Sequence, residues 1–160
     1  MRILSVDPGF GRVGFAVLEK EKQEKLIYSE CFETKSETPF LERLCGVGEE
    51  TGKLIKKFNP EVVAIETLFF TTNQKTVMQV AEARGVILYE AIRNGIKVCE
   101  YTPLQVKMAL TGYGRASKTD VLKMLSLILK IPLDGKKDDE LDAVAVGLAH
   151  FAYSKNLKER

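Results

Sequence analysis

Histidine occurs once, at position 150, and cysteine three times, at 31, 45 and 99, with no CxxC pair among them. A structural zinc site draws its ligands mainly from Cys and His, so this supply argues against one. An odd count of cysteines in apolar stretches predicts buried, reduced thiols in a cytoplasmic protein instead. No run approaches the ~20 apolar residues of a membrane span. The first apolar run, Ile3 to Val6, meets an acid at Asp7 too soon for a signal peptide. Internal repeats, low-complexity tracts and linkers are also absent. Charge is nearly balanced, with 24 Lys and Arg against 22 Asp and Glu, a net of +2. That bias is too weak to mark nucleic-acid binding by itself, so any such reading must come from local clusters.

What is present is enough chain for one core. A 160-residue chain buries roughly 68–70% of its unfolded surface and needs no disulfides. Branched apolar runs at 2–7, 12–19 and 25–34 with short connections predict an antiparallel meander. Helical spacing follows over 37–58, stopped by Asn59-Pro60. Residues 61–66 read as a strand covered on both faces. A helix capped at Thr72 or Asn73 runs to Arg93 and ends at Asn94-Gly95. A strand over 96–101 leads to a short helix opened by Thr102-Pro103. After a Gly-rich loop at 111–114, Ser117 and Asp120 form a capping box for a helix to about 130. The last helix covers about 138–153. This order predicts an α/β fold of one domain over 1–155 with a charged tail at 156–160, its mixed sheet partly parallel.

Two strands end on acids, Asp7 and Glu66. Ligands of open α/β sheets bind just beyond the carboxyl ends of strands. Taken singly, Asp7 reads equally as a turn residue in Asp-Pro-Gly, and Glu66 as a solvated strand end. A third acidic feature opens the last helix, where Asp139 and Asp142 share one face at i and i+3. Acids in a first turn complement the helix dipole, which accounts for Asp138, Asp139 or Glu140. Asp142 fits that account less well, because it begins the apolar body of the helix and needs a partner there. Four converging carboxylates raise one another's pKa, and no run of Lys or Arg in these motifs offers a neutraliser. Hard cations such as Mg²⁺ or Mn²⁺ suit oxygen-only ligands. Two of them, about 3.5–4 Å apart, clamp the attacking and leaving oxygens in phosphodiester cleavage.

Residues 103–131 carry Lys107, Arg115, Lys118, Lys123 and Lys130 against the single acid Asp120. This local bias suits a phosphate backbone, with a solvated helix face as the alternative. Lys118 stands in the first turn of its helix, where the dipole disfavours a cation, and a phosphate would offset that cost. Phe69 and Phe70 follow Glu66 in a loop, where an aromatic ring can stack on an unpaired base or pack beneath the loop. The helix ending at Arg93 is apolar around more than one stripe. A twofold interface would cover the excess, with Gly85 permitting close approach. His150, two turns past Asp142, reads as structural.

Several motifs occur in order: Asp7-Pro8-Gly9 after a strand, Ala64-Ile65-Glu66 followed by Phe69, Ala83-Arg84-Gly85, Gln105-Val106-Lys107, and Asp139 with Asp142-Ala143. Together they resemble the RuvC family of Holliday junction resolvases across nearly the whole chain. The resemblance implies a ribonuclease H-like three-layer fold, a five-stranded mixed sheet flanked by helices. It implies a homodimeric endonuclease that nicks opposing strands of a four-way DNA junction, using two Mg²⁺ ions per site with Mn²⁺ able to substitute. Cleavage would leave 5′-phosphate and 3′-hydroxyl ends. The family's catalytic, metal-binding acids fall on Asp7, Glu66, Asp139 and Asp142. Its DNA-approaching lysines fall on Lys107 and Lys118, and its junction-centre aromatic on Phe69; Arg115 is a further DNA contact suggested by the residues themselves. A branch-migration complex of RuvA and RuvB type follows as a partner. One departure stands out: family members read Asp-Ala-Ala-Asp where this chain has Asp139-Glu140-Leu141-Asp142. Asp138 and Glu140 crowd that position, which leaves Asp138 open as an alternative third ligand.

Overall fold

The computed structural model describes residues 1–68 and 74–158, with the side chains of all of these except residues 74–75 and 155–158. Five strands form one sheet in the order β3-β2-β1-β4-β5. β1 (Arg2–Asp7), β2 (Arg12–Lys20) and β3 (Glu24–Glu33) pair antiparallel as the expected meander. β4 (Val62–Glu66) adds to β1 in parallel, and β5 (Lys97–Tyr101) adds to β4. Parallel neighbours require crossovers; α1 (Phe40–Phe58) and α2 (Gln74–Arg93) provide them. α3 (Pro103–Thr111), α4 (Lys118–Leu129) and α5 (Asp138–Lys158) complete the chain.

The strands sort their side chains by a period of two. Leu4, Val6, Val63 and Ile65 enter one core with Val47, Leu54 and Ile87 from α1 and α2. Ile3, Val62 and Ala64 enter a second core with α3, α4 and α5. Buried branched side chains of this kind contribute about 1.5–3 kcal/mol each, so one-residue slips in register would be costly. Three layers result, with the sheet between α1/α2 and α3/α4/α5. Continuing the alternation of Ile3 and Ser5 puts Asp7 on the α5 side; continuing that of Val62 and Ala64 puts Glu66 there too.

Local chemistry sets the ends. Thr102 with Gln105, and Ser117 with Asp120, form complete capping boxes for α3 and α4. α1 stops at Asn59, which takes φ 46° before Pro60. α1 starts at Phe40, three residues later than the spacing predicts, because Pro39 occupies its N-cap and the residue before a proline avoids the helical region. α5 runs to Lys158 rather than to about 153. The thiols also differ from expectation: Cys31 and Cys99 are half-buried, and Cys45 is exposed. Cys45 lies on α1 off the buried stripe of Val47, Gly48, Thr51, Leu54 and Ile55. Among the described residues no helix is long and apolar enough to cross a membrane.

Candidate metal centre and nucleic-acid cleft

β1 is the central strand, and Asp7 stands at its carboxyl end beside the end of β4. α5 crosses this edge closely because two glycines leave room. Gly14 is the cross-strand partner of Asp7, and a Cβ there would lie 1.8 Å from the Asp139 carbonyl oxygen. Gly147 on α5 faces Ser5 and Leu18, where a Cβ would come within 2.7 Å and 2.5 Å of side-chain atoms. The first turn of α5 is therefore seated directly over Gly14, beside Asp7.

Asp7 feels every other acid of the set. Burial, then the charges of Glu66, Asp142 and Asp139, push its carboxyl up to about 8, against a smaller opposite pull from Lys118. Glu66 is pushed up to about 7 by burial and by Asp142, while a hydrogen bond with Asp7 and the charge of Lys107 pull it back. Asp142 is raised by burial, with Lys118 opposing. Glu66, Asp139 and Asp142 thus all lie within electrostatic reach of Asp7 at one sheet edge.

Cations from outside the acidic motifs already attend them. Lys118 Nζ donates to Asp142 Oδ2 at 3.0 Å and lies 3.4 Å from Asp138 Oδ2. Arg12 Nε lies 3.4 Å from Asp139 Oδ2. Burial would lower Lys118, but its bond to Asp142 prevails and holds it above the usual lysine range. In this structure these acids offset the dipole cost of a lysine at the start of α4. Among the described residues no three His, Cys, Asp or Glu side chains form a ready-made ligand cluster.

The crowding at α5 resolves itself. Glu140 is buried and turned toward β3, accepting from Ser29 Oγ at 2.5 Å and Lys136 Nζ at 2.6 Å. Burial would raise it, but these bonds hold its carboxyl below the usual range. Asp138 is 76% exposed and is not among the larger charges acting on Asp7, though its charge does raise Asp142. Asp139 is among the charges on Asp7, and Cys31 Sγ reaches Asp139 Oδ2 at 3.9 Å.

Glu66, Lys107, Lys118 and Asp142 line one cleft of about 230 Å³ together with Pro103 and Val106. Acids and lysines from distant parts of the sequence therefore share a surface. Arg115 is exposed in the α3–α4 loop, outside the cleft lining. Phe69 and Asn73 lie outside the described residues. His150 is buried on α5, its Nδ1 2.8 Å from Tyr101 Oη. A larger cavity, about 860 Å³, lies between α1 and α2 in the opposite layer and contains none of the four acids. Sequence reasoning missed Gly14, Arg12 and the Ser29–Lys136–Glu140 group. Only the register and the packing of α5 expose them.

Fold and acid placement define a nuclease of the ribonuclease H-like class. The chain belongs to the RuvC family: the family model described as crossover junction endodeoxyribonuclease RuvC matches residues 3–150. A crossover junction endodeoxyribonuclease RuvC of Caldicellulosiruptor saccharolyticus is 41% identical over 98% of this chain and 96% of its own. One from Finegoldia magna is 41% identical over 97% and 95%. The Thermus thermophilus RuvC structure in complex with Holliday junction substrate superposes with a TM-score of 0.92 at 30% identity, covering 97% of this chain and 95% of that one.

Proposed function

We propose that this protein resolves four-way DNA junctions in recombination and repair, by paired symmetric nicks that leave 5′-phosphate and 3′-hydroxyl ends. The observation that carries the reading is geometric: Asp7 ends β1 beside the end of β4, Asp139 packs over its cross-strand neighbour Gly14, and Glu66 and Asp142 line one cleft. The junction-bound relative supports a DNA substrate of that shape.

The residues fit divalent cations. They offer hard oxygen donors only, and Asp7 retains its proton up to about 8 under burial and like charge, which a strong counter-charge would relieve. Asp7, Glu66, Asp139 and Asp142 would hold Mg²⁺, two ions per site in this reading, with Mn²⁺ as a substitute. When bound, these ions supply Lewis-acid stabilisation of the phosphate oxygens and acidify water. The chain does the rest. Asp7, on the central strand, orients the set. Arg12 holds Asp139 from β2. Lys118 exchanges Asp142 for a phosphate flanking the scissile one, and Lys107 holds another across the cleft. Arg115 adds a third backbone contact from its loop, and Phe69 stacks at the junction centre.

A homodimer supplies the two equivalent sites that paired nicks require. α2 offers the face: Met78, Tyr89 and Ile92 are each more than 60% exposed, and Gly85 faces open space. The α1–α2 groove, lined by Leu41, Leu44, Val86 and Tyr89, continues that surface. Branch-migration proteins of RuvA and RuvB type are the expected partners, and the cytoplasm, where free thiols persist, the expected compartment.

A Mg²⁺-dependent cleavage assay on a four-way junction, a linear duplex and an RNA–DNA hybrid tests the reading. Symmetric nicks in the junction, with the other two left intact, are expected. Equal cutting of all three, or cutting of the hybrid alone, would reject it.

A further inference from the structure

Arg84 takes no part in the carboxylate set or the cleft, yet it ties α2 to the edge where the acids meet. Its side chain is only 17% exposed. Nε donates to the Glu66 carbonyl at 3.3 Å, and Nη2 donates to the Glu100 carboxylate on β5. The β1–β4 ladder stops at Val6–Ile65, one residue short of Asp7 and Glu66. Main-chain pairing with β1 therefore no longer fixes Glu66 where its carboxyl must meet that of Asp7. On the other side, Thr67 N–H still bonds the Tyr101 carbonyl at 2.9 Å. A half-buried carbonyl at a strand end is better satisfied with a donor, and a guanidinium is a rigid planar fork that holds two acceptors at a set spacing. The fork comes from the α1/α2 layer, whereas the Glu66 side chain lies on the α5 side.

We propose that Arg84 is a positioning residue for the metal centre: by fastening the Glu66 carbonyl and Glu100 to α2, it aims the Glu66 carboxylate at Asp7. This rests on the reading of Glu66 as a metal ligand. Outer groups that orient metal ligands typically contribute 10–100-fold to metal affinity or activity.

The test compares Arg84→Met, Arg84→Lys, Glu100→Gln and Glu66→Gln in the full chain. Three measurements serve: calorimetric titration with Mn²⁺ in the absence of DNA, junction binding in chelator, and single-turnover cleavage. Arg84→Met is expected to weaken Mn²⁺ binding and slow cleavage by about tenfold or more, with junction affinity unchanged. Arg84→Lys, which keeps the charge without the fork, is expected to fall between it and the parent. Glu100→Gln leaves the carbonyl contact and is expected to change Mn²⁺ binding less than about threefold, since an ion pair with one end in solvent is weak. Unaltered Mn²⁺ affinity in folded Arg84→Met overturns the proposal. So does a loss of junction affinity as large as the loss of cleavage, which would make Arg84 a DNA contact. If Arg84→Met does not fold, unaltered Mn²⁺ affinity in Arg84→Lys overturns it equally. Glu66→Gln separates the two ideas. Parental Mn²⁺ binding there removes Glu66 as a ligand and the proposal with it. Lost binding there, with none lost at Arg84, removes the positioning role alone.

Discussion

Asp7 is held as an acid at a pH where a free aspartate is ionised, and stability must respond. Its folded pKa of about 8 exceeds the ordinary 3.8, and that of Glu66, about 7, exceeds 4.5. Between these values the folded chain binds more protons than the unfolded one, so stability falls as pH rises through the window. Thermal melts in chelator are expected to drop by several degrees from about pH 6 to about pH 8, each kcal/mol being worth roughly 2–4 °C at this size. Asp7→Asn is expected to flatten that slope; an unchanged slope would place the strain elsewhere. The same variant should keep junction binding while losing more than about a hundredfold in cleavage, because even outer-shell changes cost 10–100-fold. A cleavage rate near the parent's would deny Asp7 its role. Lys118 makes a separate claim. If it trades Asp142 for a phosphate, Lys118→Ala should weaken junction binding and reduce the salt slope by about one, as read by binding across a salt series.

At the scale of elements, the site depends on how closely α5 lies on β1 and β2. Gly14 and Gly147 allow the approach. Arg12–Asp139, Lys137–Glu33 and the Ser29–Lys136–Glu140 group tether the start of the helix to β2 and β3. Gly14→Ala sets a methyl against the Asp139 carbonyl and must lift the first turn, since backbone there cannot rotate away. Overpacking of this kind costs about 1–3 kcal/mol. A lowered denaturation midpoint with a larger loss of cleavage than of junction binding is expected. Parental stability and cleavage would mean that α5 can shift without disturbing the acids. Arg84 belongs to this scale as well, since it joins α2 to the ends of β4 and β5.

For the whole molecule, the proposed homodimer would present two sites to one junction. The outward apolar stripe of α2, Met78, Tyr89 and Ile92, is too exposed to be explained by the core of a single chain. Ile92→Asp combined with Tyr89→Asp is expected to give a monomer in sedimentation at micromolar concentration. Such a monomer should make single, uncoupled nicks. A double variant that remains dimeric would move the interface to another face.

Much of this was legible in the sequence because it rests on local chemistry. Alternation and turn residues marked the five strands, Thr102 and Ser117 marked two helix starts, and acids at the ends of two apolar strands marked the candidate site. A period of two carries a side chain's direction along a strand, so Asp7 and Glu66 could be placed from their own neighbours. What the sequence could not decide was which residues lie opposite one another across long separations. Gly14 looked like one more strand residue until β1–β2 register set it beside Asp7 and under Asp139. Glu140 looked like a residue crowding the third-ligand position until Ser29 and Lys136 claimed it, and Lys118 had no visible acid partner until α4 brought it to Asp142. Those outcomes depend on contacts between layers, where a shift of one residue or a few ångströms reverses the partner, and no single stretch of sequence encodes them.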